Sequence, residues 1–377
     1  MFRSGYILDA RADWFWFLGF PFLAIAIALG CHEYLPAIAL ASIGLWITIP
    51  HHLATWLRTY GLGEDWRRWK GPLIAGPVVV FATTMLGLRW APMTLLVLGF
   101  LWDHQHSLMQ QYGLSRIYDF KARTGGPRTA RFDLGLHWFL YVNMLLTGPL
   151  FIRLWGSEAY QWRLPLSAET FRWIQHVSWG ATAAYLLIYL GQIIWSAHVG
   201  QAINPVKYLF ICSSYVLWYF TSWQTDSFLV FGIAHRLMHG MQYMIIVNSY
   251  LDRKQAAAGL STQHDATPVA PPILSPPVAS PAFAWLMPSG RTLAIIGMGA
   301  AYALVYQLLV LRPLDEFGFG VVNFMRVGAG PQRIGDITRA AGYDLFAATM
   351  VQALPITHYY FDSFIWKVSD ARLQQGL

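Results

Sequence analysis

Residues 227–250 read SFLVFGIAHRLMHGMQYMIIVNSY. A bilayer core of about 30 Å needs roughly 20 apolar residues in one helix. This run is long enough, and its only basic residues are His235, Arg236 and His239. Comparable runs fall near 14–31, 35–57, 72–89, 91–112, 132–152, 171–195, 206–223, 289–311 and 341–366. The expected fold class is therefore all-α: a polytopic integral membrane helical bundle of about ten transmembrane helices. Pro36 and Pro92 fall where the first turns of helices begin, a position proline tolerates.

Composition agrees with that reading. Of the 377 residues, 12% are charged and 56% hydrophobic, with 18 tryptophans. Mean hydropathy is +0.40. A soluble domain carries about 25% charged residues. The balance excludes a disordered chain, a coiled coil, a collagen-like rod and an ordinary soluble enzyme. The unbroken apolar runs also exclude a membrane β-barrel, whose segments alternate over about ten residues. The net charge of +7 is read as basic cytoplasmic loops, with no nucleic-acid partner. Arg58, Arg67, Arg68, Lys70, Arg116, Lys121, Arg123, Arg128 and Arg131 fall on the side of the termini, which places both termini in the cytoplasm. A bacterial inner membrane is the expected location.

Met1 is read as the start and the first run as a retained helix, because Asp9 and Asp13 do not suit a positive leader. Cys31 and Cys212 imply no disulfide framework. The organisation expected is residues 1–250 as eight helices with most of the polar site, 251–288 as a Pro/Ala-rich cytoplasmic linker, and 289–377 as the last two helices. The stretch from Ser115 to Lys121, with Asp119, is expected as a cytoplasmic loop, and Asp226 as the cap of the helix at 227–250.

Ionisable side chains inside a membrane are costly, so each marks a candidate functional site. Here they are mainly histidines: His51 and His52, His104 and His106 beside Asp103, His235 and His239, and His358 with Asp362. In the expected topology all lie in the middle or cytoplasmic half of the membrane, so they can meet at one level. His137 could join them; His32, His176 and His198 are set aside. His235 and His239 share a helical face, as do His358 and Asp362. His104 and His106 stand about 200° apart on a helix, so only one of them faces a given site. The same argument applies more weakly to His51 and His52.

Several imidazoles with one carboxylate and no cysteine suit iron, copper, zinc or manganese. With open positions they form the environment of non-haem Fe(II) that activates O₂. The expected metal ligands are drawn from His51, His52, His104, His106, His235, His239 and His358, with one or two Fe(II) ions as cofactor and another divalent metal as the alternative. Asp362, Tyr359 and Asp103 are the expected catalytic groups. Gln110, Tyr112, Gln242, Tyr243 and Tyr360 are candidates for lining a cavity. Arg236 is expected to pair with Asp103 or Asp226, or to bind an anionic group.

The ordered motifs are Pro50-His51, Asp103-His104-Gln105-His106, His235 with His239, and Pro355 through His358 followed by Asp362. In this order the chain resembles, as a divergent relative, the Brp/Blh-type membrane β-carotene 15,15′-dioxygenase family. The resemblance implies a polytopic, iron-dependent oxygenase that cleaves a polyene within the bilayer. The expected function is thus a membrane-embedded non-haem iron-dependent oxygenase. Its partners would be O₂, an electron donor and a lipid-soluble substrate, either a carotenoid or another isoprenoid or acyl chain. Two other classes compete: a haem-binding electron-transfer protein, and a metal or proton transporter with ligands on broken helices.

Overall fold

A computed structural model of the protein describes residues 2–164, 166–264, 297–304 and 342–377. Its named helices are α1 (Ala10–Asp13), α2 (Phe20–Tyr34), α3 (Ala37–Gly61), α4 (Gly63–Trp90), α5 (Pro92–Ala122), α6 (Pro127–Thr147), α7 (Pro149–Gln161), α8 (Ala168–His198), α9 (Pro205–Trp223), α10 (Phe228–His264), α11 (Gly342–Ile365) and α12 (Ala371–Gln374). A π-helical turn, Trp14–Gly19, joins α1 to α2. The fold is all-helical, with no strand among the described residues and one isolated bridge, Phe2 to Ile203.

Among the described residues, three helical segments are long and apolar enough to cross a membrane: Ala10–Tyr34, Gly63–Trp90 and Ala168–His198. A fourth results if α6 and α7 form one bent span. On α4 and α8 the apolar side chains point outward, as with Val78 and Val79 on α4 and Leu187 and Ile194 on α8. The buried set, in contrast, is rich in histidine, threonine, serine and asparagine.

Local sequence explains most helix starts. Proline stands at the first turn of α5, α6, α7 and α9, where a missing N–H costs nothing. Pro36 is the N-cap of α3. Asp9 caps α1 by accepting from the N–H groups of Arg11 and Ala12. The buried Asp13 carboxylate accepts from the N–H of Ile7 (2.7 Å) and of Leu8 (3.0 Å), fixing the N-terminal segment.

Helix ends depart from the expectation in several places. The run at 132–152 is not one helix: Pro149 cannot continue the ladder, and the chain turns by 68° between α6 and the following segment. Residues Ser115 to Lys121 are not a loop; α5 carries them to Ala122 and ends where Arg123 adopts the left-handed conformation (φ 54°). Residues 251–264 are not linker either, because α10 runs on to His264. The rest of the expected linker, 265–288, lies outside the described residues, as do the loop arginines 312, 326, 333 and 339. Of the expected helix at 289–311, residues 297–304 are described, and they are helical.

The core assembles around α10, which packs against α2, α3 and α9, while α11 packs against α3, α4 and α5. Gly76 of α4 admits the Tyr360 ring so closely that a Cβ there would collide with it.

A buried ionic network locks the far end of α5. Lys207 of α9 donates to Asp119 of α5 (3.1 Å) and Asp133 of α6 (3.1 Å). Arg116 bridges the same carboxylates and donates to the Gly125 carbonyl (3.1 Å). Tyr189 of α8 donates to Asp133 (2.7 Å), and Thr124 to Asp119 (2.9 Å). Four helices therefore meet on two carboxylates. Gly125 (φ +67°) closes the turn where any Cβ would strike Asp119. Removing one partner of a buried ion pair costs about 3–5 kcal/mol, because the other charge stays desolvated. Lys207→Met should therefore lower the thermal midpoint in detergent by several degrees, and Asp133→Asn introduced beside it should recover part of the loss. An unchanged midpoint in Lys207→Met would show that the network is not holding these helices.

Candidate metal centre

Each of four helices brings a polar turn to one level. α3 contributes His51 and His52, and one turn later Thr55. α5 contributes His106, α10 His239, and α11 His358 and Asp362. All five imidazoles are buried. Ring centroids lie 4.4 Å apart for His51–His52, 5.0 Å for His51–His239 and 4.9 Å for both His51–His358 and His52–His358. His106 lies 5.1 Å from His239 and 5.0 Å from His358.

Two ligand sets emerge. Nitrogens of His51, His239 and His358 lie within 4.8 Å of one another, and so do ligand atoms of His106, His358 and Asp362. The sets share His358. Both nitrogens of His52 and His239, and Nε2 of His106 and His358, are buried without a hydrogen-bond partner among the described residues. A buried polar atom left unpaired is destabilising and rare, so this concentration calls for something that binds it. Bare imidazole nitrogens converging on one point fit a divalent metal of the iron-to-zinc series.

Hydrogen bonding orients the shared ligand. Tyr243 and Thr55 both donate to Asp362 Oδ1, at 2.8 Å and 3.3 Å. Thr55 Oγ1 also lies 2.6 Å from His358 Nδ1 and 2.5 Å from the Tyr243 hydroxyl. When Nδ1 donates to Thr55, the Nε2 lone pair of His358 is bare, as a metal ligand requires. Asp362 Oδ2 lies 3.7 Å from His106 Nε2. Trp366 donates to Tyr243 (3.3 Å), and the Arg58 guanidinium lies 3.7 Å above the Trp366 ring. Tyr359 stacks on His106 (4.6 Å) and donates to Asp103 Oδ1 (2.8 Å).

Not every expected ligand joins the group. His104 occupies the opposite side of α5, enclosed by Trp218 (4.7 Å), Phe151 (4.8 Å) and Tyr141 (5.4 Å). The helical period separates it from His106. His235 sits beside the cluster, 5.9 Å from the His239 ring, but Ser107 Oγ holds its Nε2 at 2.5 Å. It is in neither ligand set. His137 bonds Tyr215 (2.7 Å) and stays apart. Asp226 is neither the cap of α10 nor a partner for Arg236: Ser227 Oγ accepts from Val230 N, and Asp226 pairs with Arg153 (2.7 Å). Thr55 went unseen in the sequence, although its spacing one turn after His51 and His52 was available as a signal.

A cavity of about 1230 Å³ opens against the cluster. His106, Asp362, Tyr243 and Tyr359 form part of its wall, with Gln110, Tyr112 and Gln242 beyond them. Gln110 donates to the His239 carbonyl (3.1 Å), which leaves its Oε1 without a hydrogen-bond partner. Tyr360 is turned away toward α4.

No protein-family model, no curated protein and no solved structure matches this chain.

The buried Tyr243 hydroxyl donates to Asp362 and accepts from Trp366. Its loss leaves the carboxylate one donor short and the indole N–H without its acceptor, at a cost of about 1–3 kcal/mol. Tyr243→Phe should lower the thermal midpoint in detergent whether or not metal is supplied. A variant as stable as the parent would mean that Tyr243 does not hold these groups.

Proposed function

We propose that this chain is an integral membrane protein of about ten spanning helices that binds Fe(II) at the His51–His239–His358 and His106–Asp362 positions and oxidises a lipid-soluble substrate with O₂. Both termini are assigned to the cytoplasm of a bacterial inner membrane on the lysine and arginine bias. The observation that carries the reading is the convergence of buried imidazoles, with nitrogens of His52, His106, His239 and His358 lacking a hydrogen-bond partner among the described residues, beside a large cavity that His106 and Asp362 help to line. The resemblance to the Brp/Blh-type family supports the same assignment and suggests a polyene or other isoprenoid chain.

When bound, Fe(II) would supply the activation of O₂ needed to attack an alkene or C–H bond. The protein's own groups have separable tasks. Thr55 orients His358 through Nδ1. Tyr243 and Thr55 hold two hydrogen bonds on Asp362 Oδ1, leaving Oδ2 directed to His106. The Tyr359 hydroxyl, bonded to Asp103, holds a proton at the cavity wall. The dry interior keeps bulk water from the reacting centre.

Geometry also weighs on the alternatives. A haem needs a flat slot between opposed ligands, whereas these rings pack at about van der Waals separation from one another. α3 and α11 continue through Pro50 and Pro355 as single helices, unlike the broken helices of a midplane transport site.

Metal analysis with an absorption spectrum on detergent-purified protein tests the reading. Near-stoichiometric iron without a Soret band is expected, lost in His239→Ala and retained in His176→Ala, whose side chain is exposed on α8. A Soret band would transfer the protein to haem chemistry; no metal in any preparation would sink the enzyme reading. Thr55→Val should weaken iron affinity by about 10–100-fold, the usual penalty for losing the partner that orients a ligand, and full retention of affinity would remove Thr55 from that role.

A further inference from the structure

The cavity runs far beyond the metal centre. Much of α5 lines it between Trp102 and Lys121, including His106, Met109, Gly113, Arg116 and Phe120. The turn after α5, from Arg123 to Pro127, lines its other end. From His106 to Arg123 the helical rise amounts to about 25 Å. The volume of about 1230 Å³ exceeds the roughly 300–1,000 Å³ of an ordinary small-molecule site. Its lining extends from His106 and Asp362 at the histidine cluster to the turn after α5, room enough for a long chain.

Exposed cations line the cavity as well: Arg123, beyond the end of α5, and Lys367, beyond the end of α11, neither of which makes an ion pair among the described residues. Lys121 adds a third cation, bonded to the Leu377 carbonyl. The carboxylate there, Asp119, is already matched by Lys207 and Arg116. The segment after α11 is held in place beside these cations: Asp370 pairs with Arg68, whose hydrogen bond keeps its carboxyl below the usual carboxylate range, and Gln374 donates to the Val368 carbonyl (2.8 Å). Midway, Gly113 sits inside the continuous helix α5, at some cost in stability relative to alanine. A Cβ there would meet nothing within 4 Å, so the missing side chain leaves open space on the cavity wall.

We infer that the substrate of this site is an amphiphile with an anionic headgroup, held by Arg123 and Lys367, whose apolar chain lies along α5 past Gly113 and reaches His106. This rests on the reading of the histidine cluster as the reacting centre. Carboxylate and phosphate headgroups share the chemistry that these cations recognise.

Equilibrium binding to purified protein in neutral detergent tests it, with radiolabelled oleate, a polyprenyl phosphate and oleyl alcohol as probes. One of the two anions should bind at least about tenfold more tightly than the alcohol, as loss of charge-assisted hydrogen bonds predicts, and the tighter of the two identifies the headgroup. Arg123→Gln with Lys367→Gln should abolish that preference while leaving the weaker binding of the alcohol. Gly113→Phe should reduce binding of all three probes. Equal affinity for anion and alcohol, or an unchanged preference in the double variant, would overturn the inference. His239→Ala, which removes iron in the oxygenase reading, should still bind the anion. Anion binding in a wild-type protein that proves free of iron would leave the cavity assignment standing and remove only the oxygenase.

Discussion

Imidazole nitrogens facing one another in a dry interior set the terms for this fold. A buried polar atom without a partner is destabilising, and here such atoms come from α3, α5, α10 and α11 to a single level. No packing of apolar side chains would gather them there. The arrangement is stable only if something answers the lone pairs while the surrounding hydrogen bonds keep the rings turned inward. Thr55, Tyr243 and Asp362 perform the second task by fixing His358. Arg58 extends the support outward through its stacking on Trp366 and its bond to the Ile365 carbonyl (2.6 Å), where α11 ends.

α5 is the element on which site and scaffold depend together. One side presents His106 to the cluster and the cavity. The opposite side presents His104 to Trp218, Phe151 and Tyr141. The aromatic enclosure fills that side completely enough to fix the rotation of the helix, while Asp119 in the ionic network fixes its far end. A helix held at two places by unlike interactions has little freedom to roll, so His106 keeps its position relative to His358 and Asp362.

Much of this was legible in the sequence because it depends on helical period. The three- and four-residue spacings placed His239, His358 and Asp362 on facing surfaces, and the 200° argument separated His104 from His106. Pro36 and Pro92 marked helix starts. What the sequence hid is of two kinds. The first is length: α5 runs past its apolar stretch because buried polar contacts, not apolar patterning, stabilise its last turns, and α10 also continues beyond its apolar run. Asp119 looked like a loop residue for that reason. The second is distance along the chain. Thr55 and His358 are 303 residues apart, and a threonine on an apolar helix carries no sign of such a partner. His235 misled in the opposite way: it has the right spacing to His239, yet Ser107 on a different helix claims its nitrogen.

The distribution of polarity then connects the histidine cluster to lipid. α4 and α8 turn apolar side chains outward, so water does not suit their surfaces, while histidines, carboxylates and a lysine lie inside. In a bilayer this inversion is the stable arrangement, since backbone groups are satisfied within the helices and the buried Lys207, Asp119 and Asp133 are paired with one another. Lys207 has two such partners, and the cluster has a shell of donors around Asp362. The two polar centres differ in one respect that decides their roles. In the ionic network every charge is matched by protein, so it is complete as it stands. In the histidine cluster nitrogens remain bare, and the cavity wall includes two of its members. Both centres border the cavity, but the cluster alone presents to it a ligand atom that no described residue answers.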